Sequence, residues 1–94
     1  MGKSDLLAHR AGDHVAVAVM DLDAGTRSIR YLDESAGGDI EVAQPVPLGH
    51  KIALQDLASN MEVVEYGTVI GRTTREIKQG EHVHVHNLKG QRWS

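Results

Sequence analysis

His82, His84 and His86 occupy every second position of Gly80-Glu81-His82-Val83-His84-Val85-His86-Asn87, so half of the chain's 6 histidines fall in one short stretch. Imidazole suits Zn, Fe, Cu or Ni, and because it titrates near neutrality it also serves as a general acid or base. In a strand, alternate side chains share a face, so this spacing predicts a histidine ridge with Val83 and Val85 on the opposite side. Such a ridge is either a metal or ligand site or a polar face that meets a partner. A closed structural zinc site takes four ligands, usually in separated pairs, and the chain offers no second pair. His50 is the histidine that could fold alongside, with Asp or Glu completing a set. Asn87 adds both a donor and an acceptor, a combination suited to gripping a carboxylate or hydroxyl.

Gly49-His50-Lys51 follows a Pro-x-Pro bend, and its Lys–His pair could hold an anionic group or stand as two solvated side chains. Arg72 and Arg75 could meet a carboxylate, although an isolated arginine is usually solvated. His9 and His14 have no patterned neighbours and read as structural or surface residues. Trp93 reads as a docking contact or as part of a disordered tail.

The elements that must position these groups are short. Val15, Val17 and Val19 alternate within Asp13 to Val19 and predict a first strand; Ser28 to Leu32 and Ile40 to Val42 read as further strands. Pro45 and Pro47 mark an edge or a connection, since proline donates no ladder hydrogen bond. Glu62 to Tyr66 and Thr68 to Arg72 bracket Gly67 as a tight hairpin or a kink. Asp5 to Arg10 and Leu54 to Ser59 could each form a helical turn or two. Three segments share an acid, an aliphatic residue, two variable residues and then Gly or Asn: Asp21 to Gly25, Asp56 to Asn60 and Glu76 to Gly80. Gly and Asn tolerate positive φ, which predicts three similar turns.

Composition bounds the function. At 94 residues, with no Phe, 1 Trp and 2 Tyr, the core must be aliphatic, and its β-branched character favours a mostly β domain. The absence of cysteine excludes disulfides, thiolate metal sites and a cysteine nucleophile, and it is compatible with a cytoplasmic location. A net charge of -3 argues against nucleic acid as a partner, and no apolar stretch is long enough to span a membrane. There is no GxSxG elbow, P-loop, dinucleotide fingerprint or HExxH. So small a domain rarely encloses an active site of its own, and the ridge therefore reads as half of a site.

Three ordered blocks carry a family resemblance: Val46 to Leu54, then Glu65-Tyr66-Gly67 with Ile70-Gly71, then Gly80 to Lys89. Together they resemble the SAF domain of altronate and galactarate dehydratases, and the free-standing form of that domain that serves as the small alpha subunit of (2R)-sulfolactate sulfo-lyase. The resemblance implies a compact SAF-type β-clip fold filling residues 1–94, with a core of about residues 8–88 and a tail at 89–94 that could dock. It implies a lyase, either a hydro-lyase or a sulfo-lyase, acting on a hydroxy acid through a site shared with a large catalytic subunit. A divalent metal, iron in the dehydratases, would be held mainly by that partner, with none expected in the isolated chain. Carried onto this sequence, His84 and His86 are the expected catalytic residues and metal ligands. His50, Lys51, Asn87 and Arg72 are the expected substrate-binding residues. Association with further copies of the chain stays open, as does a free-standing module that binds a sugar acid or serves assembly without catalysis. Thr26-Arg27-Ser28 departs from the family pattern in the first hairpin, and Asn60 stands where a glycine is usual.

Overall fold

The computed structural model describes residues 4–90. Nine strands follow one another within them: β1 (Leu6–Ala8), β2 (Val15–Ala18), β3 (Gly25–Tyr31), β4 (Gly38–Val42), β5 (Lys51–Ala53), β6 (Glu62–Glu65), β7 (Thr68–Thr73), β8 (His82–Val83) and β9 (Leu88–Gly90). They build a six-stranded sheet in the order β4-β3-β1-β2-β5-β8 and a three-stranded sheet in the order β6-β7-β9. Only β1 and β3 pair in parallel; every other neighbouring pair is antiparallel. The architecture is the mostly β one expected from the composition.

No helical turn forms among the described residues. Asp5 to Arg10 contains β1, whose Leu6 and Ala8 are buried on either side of the half-buried Leu7; this is the alternation of a strand. Leu54 to Ser59 is a bend followed by an isolated bridge between Leu57 and Ile77. Leu6, at the start of β1, has no accessible surface.

Two apolar clusters share β2 and β5 as a common wall. Ala16, Ala18 and Ile52 pack into one cluster with Leu6, Leu22 and Val46. Val15 and Ala53 pack into the other with Leu57, Ile77 and Val83. Successive residues of a strand face opposite sides, so these central strands are apolar on both faces, and each face packs into its own cluster.

The turn expectation is half right, and its correction explains where the histidines sit. The backbones of Leu22 and Val46 bond reciprocally, each N–H to the other's carbonyl at 2.9 Å, and Leu57 and Ile77 do the same at 2.7 and 2.9 Å. The Gly49 N–H donates to Ala18 O at 2.9 Å, and the Gly80 N–H donates to Ala53 O at 2.8 Å. Asp21 Oδ1 accepts from the Leu48 N–H and Asp56 Oδ1 from the Gln79 N–H, at 2.8 and 2.9 Å. One bonding pattern is thus used twice. Its turns end at Gly49 and Gly80, both at φ +86°, and Asn60 closes a similar turn at φ +59°. Asp21 to Gly25 is not a third copy of the turn: its aspartate braces the turn at Leu48-Gly49, and Gly25 opens β3. The two braced turns deliver His50 and His82 to adjacent strand ends.

Candidate functional site

The register of β5 and β8 brings the site together. Lys51 pairs with Val83 and Ile52 with His82, so the next step of the same antiparallel register sets His50 opposite His84. Directly opposed side chains share a face of the sheet, as do residues two apart, and this places His50, His82 and His84 side by side. The His50 and His84 rings stack with centroids 3.7 Å apart and planes 12° apart. His50 Nδ1 lies 2.8 Å from His82 Nε2, a hydrogen bond that needs one N–H and one lone pair.

The histidine strand itself is shorter than its spacing predicts. β8 stops at Val83, and residues 84–87 form a turn. Asn87 makes the turn: Oδ1 accepts from the His84 N–H at 2.9 Å, and Nδ2 donates to His82 O at 2.8 Å. The His84 carbonyl accepts from the N–H groups of Asn87 and Leu88, at 3.1 and 2.9 Å. Two consequences depart from a continuous ridge. Val85 is 75% exposed instead of sharing the core with Val83. His86 folds back beside His82, with ring centroids 5.0 Å apart. The signal in the sequence was Asn87, three residues after His84, since asparagine closes turns with its own side chain.

The geometry groups three potential ligands. One nitrogen from each of His50, His82 and His84 lies within 4.8 Å of the other two. Metal–imidazole bonds of about 2.0–2.1 Å put neighbouring ligand nitrogens roughly 3–3.5 Å apart, so the three could hold a divalent ion once their rings draw closer together. A ligating imidazole must be neutral, and the surroundings favour that state. Burial lowers the pKa of His82 below its usual value, with His86, His50 and His84 adding to the effect. Burial lowers that of His84 as well, reinforced by His50, His86 and Lys51. His86, expected as a ligand beside His84, lies outside the three-ligand group, and His50 and His82 take its place.

The remaining expected residues divide. Lys51 stays with the site: its ammonium is 3.7 Å from the half-buried Glu65 carboxylate, and together with His84 and Val85 both line a concavity of about 210 Å³. Asn87 is 4% exposed, and both ends of its amide are engaged by the backbone of the turn. Arg72 lies elsewhere, donating to Asn60 O at 2.9 Å and to Glu62 at 3.4 Å on the wall of a separate concavity of about 570 Å³. That larger hollow has no imidazole, so size alone does not locate the chemistry. Arg75, by contrast, lines a concavity of about 230 Å³ with His82 and His86. Gln44, which the sequence reading passed over, accepts the His82 N–H on its Oε1 at 3.1 Å. His14 is structural: its Nδ1 accepts the Val64 N–H at 2.9 Å and docks β6 against the start of β2. Trp93 lies outside the described residues.

Comparison with known proteins shows the family of the chain. Residues 4–91 match the family model described as the altronate/galactarate dehydratase SAF domain. The chain is 42% identical over 91 residues to the (2R)-sulfolactate sulfo-lyase subunit alpha of Chromohalobacter salexigens, covering 95% of this chain and 97% of that one. It is 41% identical over 87 residues to the altronate dehydratase of Bacillus subtilis, and 40% identical over 73 residues to the galactarate dehydratase (L-threo-forming) of Escherichia coli. It spans only 16% and 12% of the length of those two enzymes. With a matched segment reaching from Ser4 past both histidine-bearing turns, the chain belongs to the altronate/galactarate dehydratase SAF-domain family.

Proposed function

We propose that this chain is the small, non-autonomous subunit of a lyase that eliminates water or sulfite from a hydroxy acid, and that it contributes imidazoles to a site completed by a large subunit. The observation that carries this reading is the His50–His82–His84 cluster, three imidazoles gathered on a partly exposed face, with burial lowering the pKa of His82 and His84. The relatives support it: one is named as an alpha subunit of nearly the same length, and in the dehydratases the matching segment is a small part of a longer chain. We place the enzyme in the cytoplasm, in keeping with a composition free of cysteine; among the described residues no helix is long and apolar enough to cross a membrane.

In such an elimination a proton leaves the carbon next to a carboxylate and the leaving group departs from the neighbouring carbon. His50, His82 and His84 are the residues suited to hold a divalent metal, iron by analogy with the dehydratases, which when bound would supply Lewis-acid catalysis. The chain's own residues do the rest of its share. His86, outside the ligand group and exposed beside His82, is placed to exchange a proton with the substrate. Lys51 sets a positive charge beside His84, where it would favour an enolate-like intermediate. Asn87 acts through the turn, by holding His84 and His86 at their angles.

The test is purification of the chain from its own cells with whatever accompanies it, followed by assay of elimination from sugar acids and sulfolactate. A large stoichiometric partner, bound metal and turnover that falls at least 100-fold in His84→Ala without loss of the complex is the expected result. Undiminished turnover in both His82→Ala and His84→Ala, or a chain that emerges alone and binds a sugar acid without converting it, overturns the proposal.

A further inference from the structure

We infer that Arg75 is the carboxylate anchor of the shared site, gripping the hydroxy acid from the wall of the concavity beside His82 and His86; this rests on the lyase reading above. The argument is an accounting of hydrogen bonds in that hollow of about 230 Å³. Gln44 Oε1 is taken by the His82 N–H, and His82 Nε2 is taken by His50. Glu81 Oε1 accepts from the Lys78 N–H at 2.8 Å, and the Lys78 ammonium sits 3.2 Å from the Glu76 carboxylate. The amide of Asn87 is spent on the turn. Among the described residues, Arg75 and His86 are the lining groups whose side chains make no hydrogen bond or ion pair. What the hollow offers an incoming carboxylate is therefore the guanidinium of Arg75, its one permanent cation, with the His86 imidazole and the Gln44 Nε2 beside it and the Glu76 and Glu81 carboxylates on the same wall.

The chain also fixes where that guanidinium starts. The Thr74 N–H donates to Asn87 O at 3.0 Å, tying the residue before Arg75 to the turn that carries His84 and His86. One buried asparagine thus holds both the imidazoles and the root of the arginine. The other nearby cation, Lys51, already faces Glu65, and Arg72 is engaged with Asn60 and Glu62 in the other hollow. Arg75 combines a permanent charge and a place beside His82 and His86 with a side chain that makes no hydrogen bond or ion pair among the described residues. Its planar fork matches a carboxylate through two parallel bonds, which a lysine cannot reproduce.

Steady-state kinetics of the assembled enzyme decide the matter. Arg75→Ala is expected to raise KM about 10- to 100-fold, the scale of a lost charge-assisted contact, with metal content and subunit association unchanged. Arg75→Lys should recover only part of the loss, and added guanidinium should restore Arg75→Ala more than it restores Arg75→Lys. A KM within twofold of wild type, a loss accompanied by loss of metal or partner, or no response to guanidinium overturns the assignment. Should the wild-type assembly turn over no hydroxy acid, the lyase reading fails by itself. The anchor is then read by titrating the full chain with lactate and following the His82 and His86 ring signals. Shifts in wild type that vanish in Arg75→Ala support it, and unmoved signals overturn it.

Discussion

His84 and Asn87 illustrate how two residues three apart can have distinct roles that one experiment separates. His84 stacks on His50 and belongs to the ligand group, but it bears little of the fold. His84→Ala is therefore expected to bind far less divalent metal, measured by equilibrium dialysis of the assembled protein, while its urea midpoint stays near wild type. Asn87→Ala should do the reverse first. It strips a buried donor and acceptor from the His84 N–H and the His82 carbonyl, which is expected to cost about 1–3 kcal/mol in urea unfolding. Metal affinity should then fall as a consequence, because the turn no longer fixes the angle of His84. Equal loss of stability in the two variants would contradict this division.

At the scale of elements, the braced turns are the critical devices. Gly80 sits at φ +86°, and a Cβ there would collide with the carbonyl oxygen of Glu41. Gly80→Ala thus meets both a left-handed backbone and a rigid neighbour, and it is expected to lower stability by about 1–3 kcal/mol or more by thermal or urea unfolding. The same strain would disturb the entry of β8 and with it the register that sets His82 opposite Ile52. Gly49→Ala has the same φ but open space around the added methyl group, so it should cost less. That ordering separates the steric contribution from the conformational one.

For the whole molecule, the site and the fold are linked through protons. The pKa values of His82 and His84 are lowered, chiefly by burial, so the unfolded chain binds protons that the folded one refuses. Stability then rises with pH in this window. It is intact above the ordinary histidine value of about 6.5 and declines as pH falls below it, reaching its full loss below the depressed folded values. The melting temperature of the metal-free chain should therefore be lower at pH 5.5 than at pH 7.5. A His82→Gln, His84→Gln double variant should show a smaller difference. Bound metal should accentuate the wild-type slope, because ligation also requires neutral imidazoles.

What the sequence alone determined is what depends on local pattern. The aliphatic, aromatic-poor composition and period-two stretches such as Val15 to Ala18 led to a mostly β fold, and Tyr66-Gly67 marked the hairpin between β6 and β7, because backbone preference and side-chain alternation act over a few residues. The gathering of the C-terminal histidines was legible for the same reason. Only the tertiary structure decided which histidines meet. His50 joins His82 and His84 through pairing across more than 30 residues, a register set by β strands buried on both faces. His86 leaves the ridge because a buried asparagine amide satisfies two backbone groups that a continued strand would have left to a neighbour. Arg72 and Arg75 look alike in one dimension. Their difference lies in the partners that three dimensions supply: Asn60 and Glu62 engage the first, and the second is left facing the histidines.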